Sequence, residues 1–375
     1  MRLIKFTFNK QLIHEFVEFG YDIYRNDSKW IPPMRAEIID RLSPQYSFYS
    51  RDGNRQCHFM IYENGIPKGR VTAMVNSQLK DRDNVSVGTL GFFECREDYQ
   101  VARNLINGAL DWLKKQNIKR VWGPMDFDIW HSYRFMTKGF DLPPFYGEPY
   151  NKSYYPDFFE RYGFSIKAEW DSVEITGKDI LCQMMSKGAK RYQLLYDRGY
   201  RFETANMNNL DSEIEKLQQI MVKSFSDFIG FTPLSADDLI RLFKKAQYAI
   251  DPRMFLFVYN PGGDLCGFAV ALLELADAIR SMKGETNLAA RLRFLYNRRS
   301  VNKINFYIGG VTPEEIANRS GLGRAGFYYI LNEIIKAGFE TLLLTLRLKG
   351  NAAHALPGRL SPIPQKEYAL YQAEL

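Results

Sequence analysis

The feature that most constrains this chain is an order of elements that occurs twice. Arg2–Phe8 alternates apolar and polar residues as a strand, and Asn9 then caps a helix with Leu12, Ile13, Phe16 and Val17 on one face. A short helix around Met34–Arg41 follows, then a hairpin of Gln56–Glu63 and Ile66–Val75 about Asn64-Gly65. Ser86–Glu94 reads as a strand, Tyr99–Lys115 as an amphipathic helix, and Ile118–Trp122 as a strand. The second half repeats this plan. Tyr200–Ala205 is a strand, with helices near Asp211–Phe225 and Ser235–Gln247. A hairpin joins Met254–Tyr259 to Leu265–Leu273, and Lys303–Val311 is the next strand. Gly323–Ala337 is a helix closed by Gly338, and Thr341–Leu346 is a buried strand. Gly177–Arg198 reads as a connecting helix. Two copies of one mixed α/β fold are expected, each ending in a β-α-β crossover whose strands pair in parallel.

Composition narrows the classes of function. With 46% apolar and 25% charged residues the chain is expected to fold rather than remain disordered. No apolar run approaches the length of a spanning helix, and Met1–Phe6 lacks the apolar core of a signal peptide. A cytoplasmic protein without a membrane span is expected. Cys57, Cys95, Cys182 and Cys266 are scattered as free thiols, and four histidines form no metal-binding spacing, so no metal site is expected. The net charge of +7 over 375 residues suits a polyanionic ligand but does not by itself point to nucleic acid.

The most specific local signal is Gly321-Leu322-Gly323-Arg324-Ala325-Gly326, between a strand and an amphipathic helix. A dinucleotide fold needs such glycines directly after its first strand and several βα units beyond, and too little chain remains here. A phosphate site fits better. A glycine-rich loop entering a helix offers free backbone N–H groups and the positive end of the helix dipole, and Arg319 and Arg324 add charge. A tight turn with solvated arginines is the alternative.

Strand Ile304–Val311, the loop Asn318-Arg319-Ser320-Gly321-Leu322-Gly323, the helix to Ala337 and strand Thr341–Leu346 together resemble the acyl-CoA motif of the GNAT acyltransferase superfamily. The resemblance implies that the loop amides cradle the pyrophosphate of acetyl-CoA or another acyl-CoA. It also implies that Val311, Arg319, Gly321, Leu322, Gly323, Arg324 and Asn351 contact that cofactor. Asn318 stands where Gln or Arg is usual, the loop is about two residues longer, and Leu356-Pro357-Gly358 stands where the family carries a Tyr. In the first half, Asn151-Lys152-Ser153-Tyr154 and Phe158 to Phe164 resemble the same superfamily's C-terminal segment. Its strand-to-helix junction, Glu94-Cys95-Arg96-Glu97-Asp98, has carboxylates instead of glycines. Carboxylates there suit the helix dipole and repel a pyrophosphate. The stretches Asp27 to Pro33, Gly91 to Glu94 and Gly123-Pro124-Met125 resemble a bacterial family of two-domain GNAT-like proteins.

The implied organisation is a GNAT-like domain without a cofactor site over residues 1–176, a connecting helix over 177–198, and a GNAT-like domain carrying the acyl-CoA site over 199–375. Acyl transfer to an amine needs a base for the acceptor and a proton donor for the leaving thiolate. Glu274 at a strand end is the candidate base and Tyr307 the candidate donor. The alternatives are a solvated carboxylate and a core aromatic. The aromatic run Tyr146 to Tyr162 either lines an acceptor pocket or packs between domains. The basic cluster from Arg291 to Lys303 reads as a solvated loop face, with an acidic acceptor, RNA or an anionic membrane as alternative partners. N-acetyl transfer to a small-molecule or peptide amine is the expected function. A non-catalytic scaffold and an aminoacyl-tRNA-dependent transferase are the competing readings.

Overall fold

In the computed structural model, residues 1–351 and 363–375 are described. Their strands are β1 (Arg2–Phe6), β2 (Arg55–Glu63), β3 (Ile66–Lys80), β4 (Ser86–Cys95), β5 (Arg120–Gly123), β6 (Phe135–Lys138) and β7 (Ser165–Thr176) in the first half. The second half carries β8 (Arg201–Thr204), β9 (Ile250–Tyr259), β10 (Leu265–Leu273), β11 (Lys303–Val311), β12 (Thr341–Leu348) and β13 (Lys366–Glu374). They form one continuous mixed sheet in the order β1-β2-β3-β4-β5-β13-β7-β12-β11-β10-β9-β8, with β6 paired to β13.

That order is symmetric about its centre. β1 to β5 run inward from one edge, and β8 to β12 run inward from the other. Between them lies the antiparallel pair β13 and β7. The last strand of the chain pairs with β5 of the first half, Tyr371 opposite Gly123, while β7 of the first half pairs with β12, Leu343 opposite Glu174. Each half therefore supplies a strand that borders the other, and main-chain hydrogen bonds join them.

Local sequence accounts for most elements. Asn64 and Gly65 both adopt positive φ, 51° and 78°, which is the two-residue turn that matches hairpin twist. Asn9 accepts from the Leu12 amide and starts helix Lys10–Ile23, whose Ile13, Phe16, Val17 and Ile23 are buried. Helix Tyr99–Lys115 packs Val101, Leu105, Ala109 and Leu113 into the core of the first half, and helix Leu322–Lys336 does the same in the second with Ala325, Ile330 and Ile334. Gly338 closes the latter at φ 84°. Arg291 to Arg298, expected as loop, lies in helix Leu288–Arg298, started by the Asn287 side chain accepting from Ala290 N. Among the described residues no helix is long and apolar enough to cross a membrane.

Candidate active site

In each half the parallel strands touch only briefly. Lys303, Ile304 and Asn305 of β11 pair with Thr341, Leu342 and Leu343, and Val87, Gly88 and Thr89 of β4 pair with Arg120, Val121 and Trp122. Beyond those pairs β11 and β12 pair no further, whereas in the first half Met125 N still donates to Leu90 O at 2.8 Å. A cavity of about 1070 Å³ is lined from both halves, by Phe92 and Arg134 on one side and Tyr307 and Gly323 on the other.

On the second-half side the wall is β11 and the start of helix Leu322–Lys336. Gly321 is the N-cap at φ 78°, a conformation that L side chains rarely adopt, and as glycine it brings no side chain to cap the helix. Ser320 Oγ accepts from Leu322 N, so the amides of Gly323 and Arg324 begin the open end. A Cβ at Gly323 would come no closer than 3.9 Å to Val311 Cγ1. The position faces open space, and the uncapped amides beside it carry the positive end of the helix dipole. Residues of this kind fit a pyrophosphate. Gly310 is required for a different reason. A Cβ there would lie 2.9 Å from Ser224 Cβ and 2.8 Å from the Phe268 ring, so glycine lets helix Leu210–Phe225 close over β11.

Tyr307 projects from β11 with its ring edge about the backbone of Gly147 in the first half, where an added Cβ would meet Cε2 at 3.4 Å. It is 48% exposed, and the open part faces the cavity. Burial raises its hydroxyl pKa above the ordinary value, against an opposing pull from the Arg134 guanidinium. The hydroxyl is therefore protonated at neutral pH.

Arg134 faces the same cavity and carries no sequence signal. It sits at φ 81° with its guanidinium 3.7 Å from the Tyr133 ring and 4.7 Å from Trp170. It is 8% exposed, and its Nε and Nη1 have no hydrogen-bond partner among the described residues. A buried cation with unpaired donors on a cavity wall favours negative charge or oxygen atoms beside it.

Of the expected site residues, Tyr307, Val311, Leu322, Gly323, Arg324 and Asn351 line the cavity together. Arg319 and Gly321 are not among the lining residues: Arg319 donates its backbone N–H to Ile316 O at φ 50°, and Gly321 turns the chain into the helix. Glu274 also stands apart from the cavity wall. Its carboxylate accepts from the Tyr146 amide at 2.9 and 3.1 Å and from the Ala276 amide at 2.9 Å, tying the aromatic loop of the first half to the end of β10. Burial pushes its pKa up to about 7. Nearby, Lys366 Nζ at the start of β13 meets Glu148 Oε2 at 2.6 Å and clips the last strand to the same loop. Leu356-Pro357-Gly358 lies outside the described residues.

In the first half the corresponding backbone amides are taken by the chain's own carboxylates. Asp98 accepts from the amides of Gln100 and Val101 at the start of helix Tyr99–Lys115. Counted from the first parallel pair in each half, Phe92 stands where Ile308 does. The Phe92 amide is taken at 2.7 Å by Asp126, whose pKa burial raises to about 6. His131, also on the wall, spends Nδ1 on Asp128 at 2.7 Å and Nε2 on the Tyr46 hydroxyl at 2.6 Å.

Solved structures share this fold over the whole chain. A tandem GNAT protein from the clavulanic acid biosynthesis pathway superposes with a TM-score of 0.52 at 11% identity, covering 100% of this chain and 98% of that one. A GCN5-related N-acetyltransferase from Sphaerobacter thermophilus gives 0.50 at 9% identity, covering 99% and 95%. The chain has the tandem GNAT fold. No family model matches it. Among curated sequences it is 22% identical to protein YghO of Escherichia coli strain K12, over 100% of this chain and 95% of that one. It is 23% identical to a bacterial ceramide synthase of Caulobacter vibrioides, over 73% of this chain and 70% of that protein.

Proposed function

We propose that this protein is an acyl-CoA-dependent N-acyltransferase whose cofactor lies in the second half and whose amine acceptor enters the shared cavity from the first. The observation that carries this reading is the uncapped, glycine-lined helix start at Gly323 opening on the same cavity as Tyr307. Amides of Gly323 and Arg324 would hold the pyrophosphate, with the Arg324 side chain and Val311 beside it. Acyl-CoA would supply an activated thioester. Tyr307, protonated at neutral pH, would donate a proton to the departing sulfur and recover one from the newly acylated nitrogen, directly or through water. Arg134, on the cavity wall, would attract oxygen atoms of the acceptor through its charge.

The acceptor is proposed to be a long-chain amine. The cavity's apolar wall, with Phe225, Phe228 and Leu242 among its lining residues, supports this. So does the similarity to a protein named as a bacterial ceramide synthase. The test is release of free thiol and of N-acylated product from acetyl-CoA and palmitoyl-CoA, each offered with sphinganine and with octylamine. Acylated amine should form, and Tyr307→Phe should lower kcat about 10- to 100-fold with KM for the thioester unchanged. No product from any pair, or full activity in Tyr307→Phe, would contradict the mechanism.

A further inference from the structure

The helix Leu288–Arg298 is turned inside out. Successive residues on a helix are about 100° apart, which places Leu288, Leu292, Leu295 and Tyr296 on one face. That face points to solvent, with exposures of 74%, 58%, 49% and 75%. Ala290, the buried residue of the helix, lies on the opposite side. Arg291 and Arg298 border the apolar stripe on one flank, Arg293 on the other, and Arg299 follows at the end. From Leu288 to Lys303 the chain contains no carboxylate, and none of these four arginines forms an ion pair among the described residues. An apolar face toward water with cations along its edges is the pattern of a helix lying in a bilayer interface.

The helix also connects to the cavity wall. Phe294 packs edge-on against Tyr248 with ring centroids 6.1 Å apart, and Arg298 Nε donates to Tyr248 O at 3.0 Å. Tyr248 is itself 53% exposed and follows helix Ala236–Ala246, whose Leu239, Leu242 and Phe243 line the cavity. We propose that this face docks the protein on an anionic lipid bilayer, with the four leucine and tyrosine side chains in the headgroup boundary and the arginines on lipid phosphates. Charge complementarity selects the partner: a second copy of this chain would bring like-charged arginines together around the apolar stripe. The proposal does not depend on acyl transfer, and either can fail alone.

The test is co-sedimentation of the full chain with vesicles of equal parts phosphatidylglycerol and phosphatidylcholine, against phosphatidylcholine alone. Binding to the anionic vesicles and weakening with added salt are expected. The double variant Leu292→Asp with Tyr296→Asp should lose at least about tenfold in binding. Arg291→Gln with Arg299→Gln should lose about fivefold per charge and much of the salt dependence. These side chains are exposed, so circular dichroism and melting temperature should be unchanged. Absence of vesicle binding, or binding unaltered in Leu292→Asp with Tyr296→Asp, would overturn the proposal. A dimer in solution that this variant dissociates, or RNA binding in place of vesicle binding, would overturn it as well.

Discussion

Two helices begin at equivalent places in the two halves and end their first turns differently. Helix Tyr99–Lys115 is closed by Asp98, which occupies two of its amides, and the nearby Phe92 amide is closed by Asp126. Helix Leu322–Lys336 begins at a left-handed glycine with no side-chain cap. One copy closes its helix start with its own carboxylate, while the other leaves amides of its first turn facing the cavity without one. The same backbone geometry thus serves stability in one half and, as proposed, ligand binding in the other. A helix N-terminus attracts negative charge wherever it occurs, and the residues before it decide whether the chain or a ligand provides that charge.

The sharpest way to break this contrast is to give the second half the chemistry of the first. Gly323→Asp places a carboxylate beside the open amides, where the backbone has room for a Cβ. Acyl-CoA affinity should fall at least about a hundredfold by calorimetry while circular dichroism stays unchanged. Unaltered affinity would make the glycines a turn and nothing more.

A smaller effect separates the carboxylate plug of the first half from an ordinary surface acid. Burial lifts the Asp126 pKa from 3.8 to about 6, so the folded state holds the proton more tightly than the unfolded state. The stability associated with the neutral form is present below about pH 4 and is lost as pH rises to about 6. Asp126→Asn keeps an oxygen for the Phe92 amide and carries no charge. Its stability should therefore gain on the wild type by up to about 2 kcal/mol between pH 4 and pH 7, read from paired urea titrations. A difference independent of pH would remove Asp126 as a strained, buried plug.

The smallest expected change is Asp98→Ala, which should cost about 1 kcal/mol as loss of an N-cap. Cofactor stoichiometry should stay the same, since exposing two amides does not make a glycine-lined opening. A second binding event in this variant would show that the first half retains a latent site.

Much of this architecture is legible in the sequence, and the gaps have physical causes. Tyr99–Lys115, Leu265–Leu273 and Lys303–Val311 stand out because one half packs around each of them, giving clear apolar periodicity. The central strands β7 and β13 do not. Ser165 to Glu169 is exposed or half-buried, and the neighbours of both strands come from the opposite half, a pairing that no local pattern encodes. Gly321-Leu322-Gly323 marks the helix opening because glycine has few other reasons to occur there in pairs. Arg134 is silent, since a basic residue after Tyr133 reads as surface until the fold buries it against two rings. Glu274 is visible as a strand-end acid, but what it meets, the amides of Tyr146 and Ala276, depends on how the halves dock.

The measurement that tests the asymmetry between the halves most directly is the stoichiometry of acyl-CoA binding to the intact chain by isothermal titration calorimetry. One site per chain is predicted, abolished by Gly323→Asp and preserved in Asp98→Ala. Two sites per chain, or a single site that survives Gly323→Asp, would contradict it.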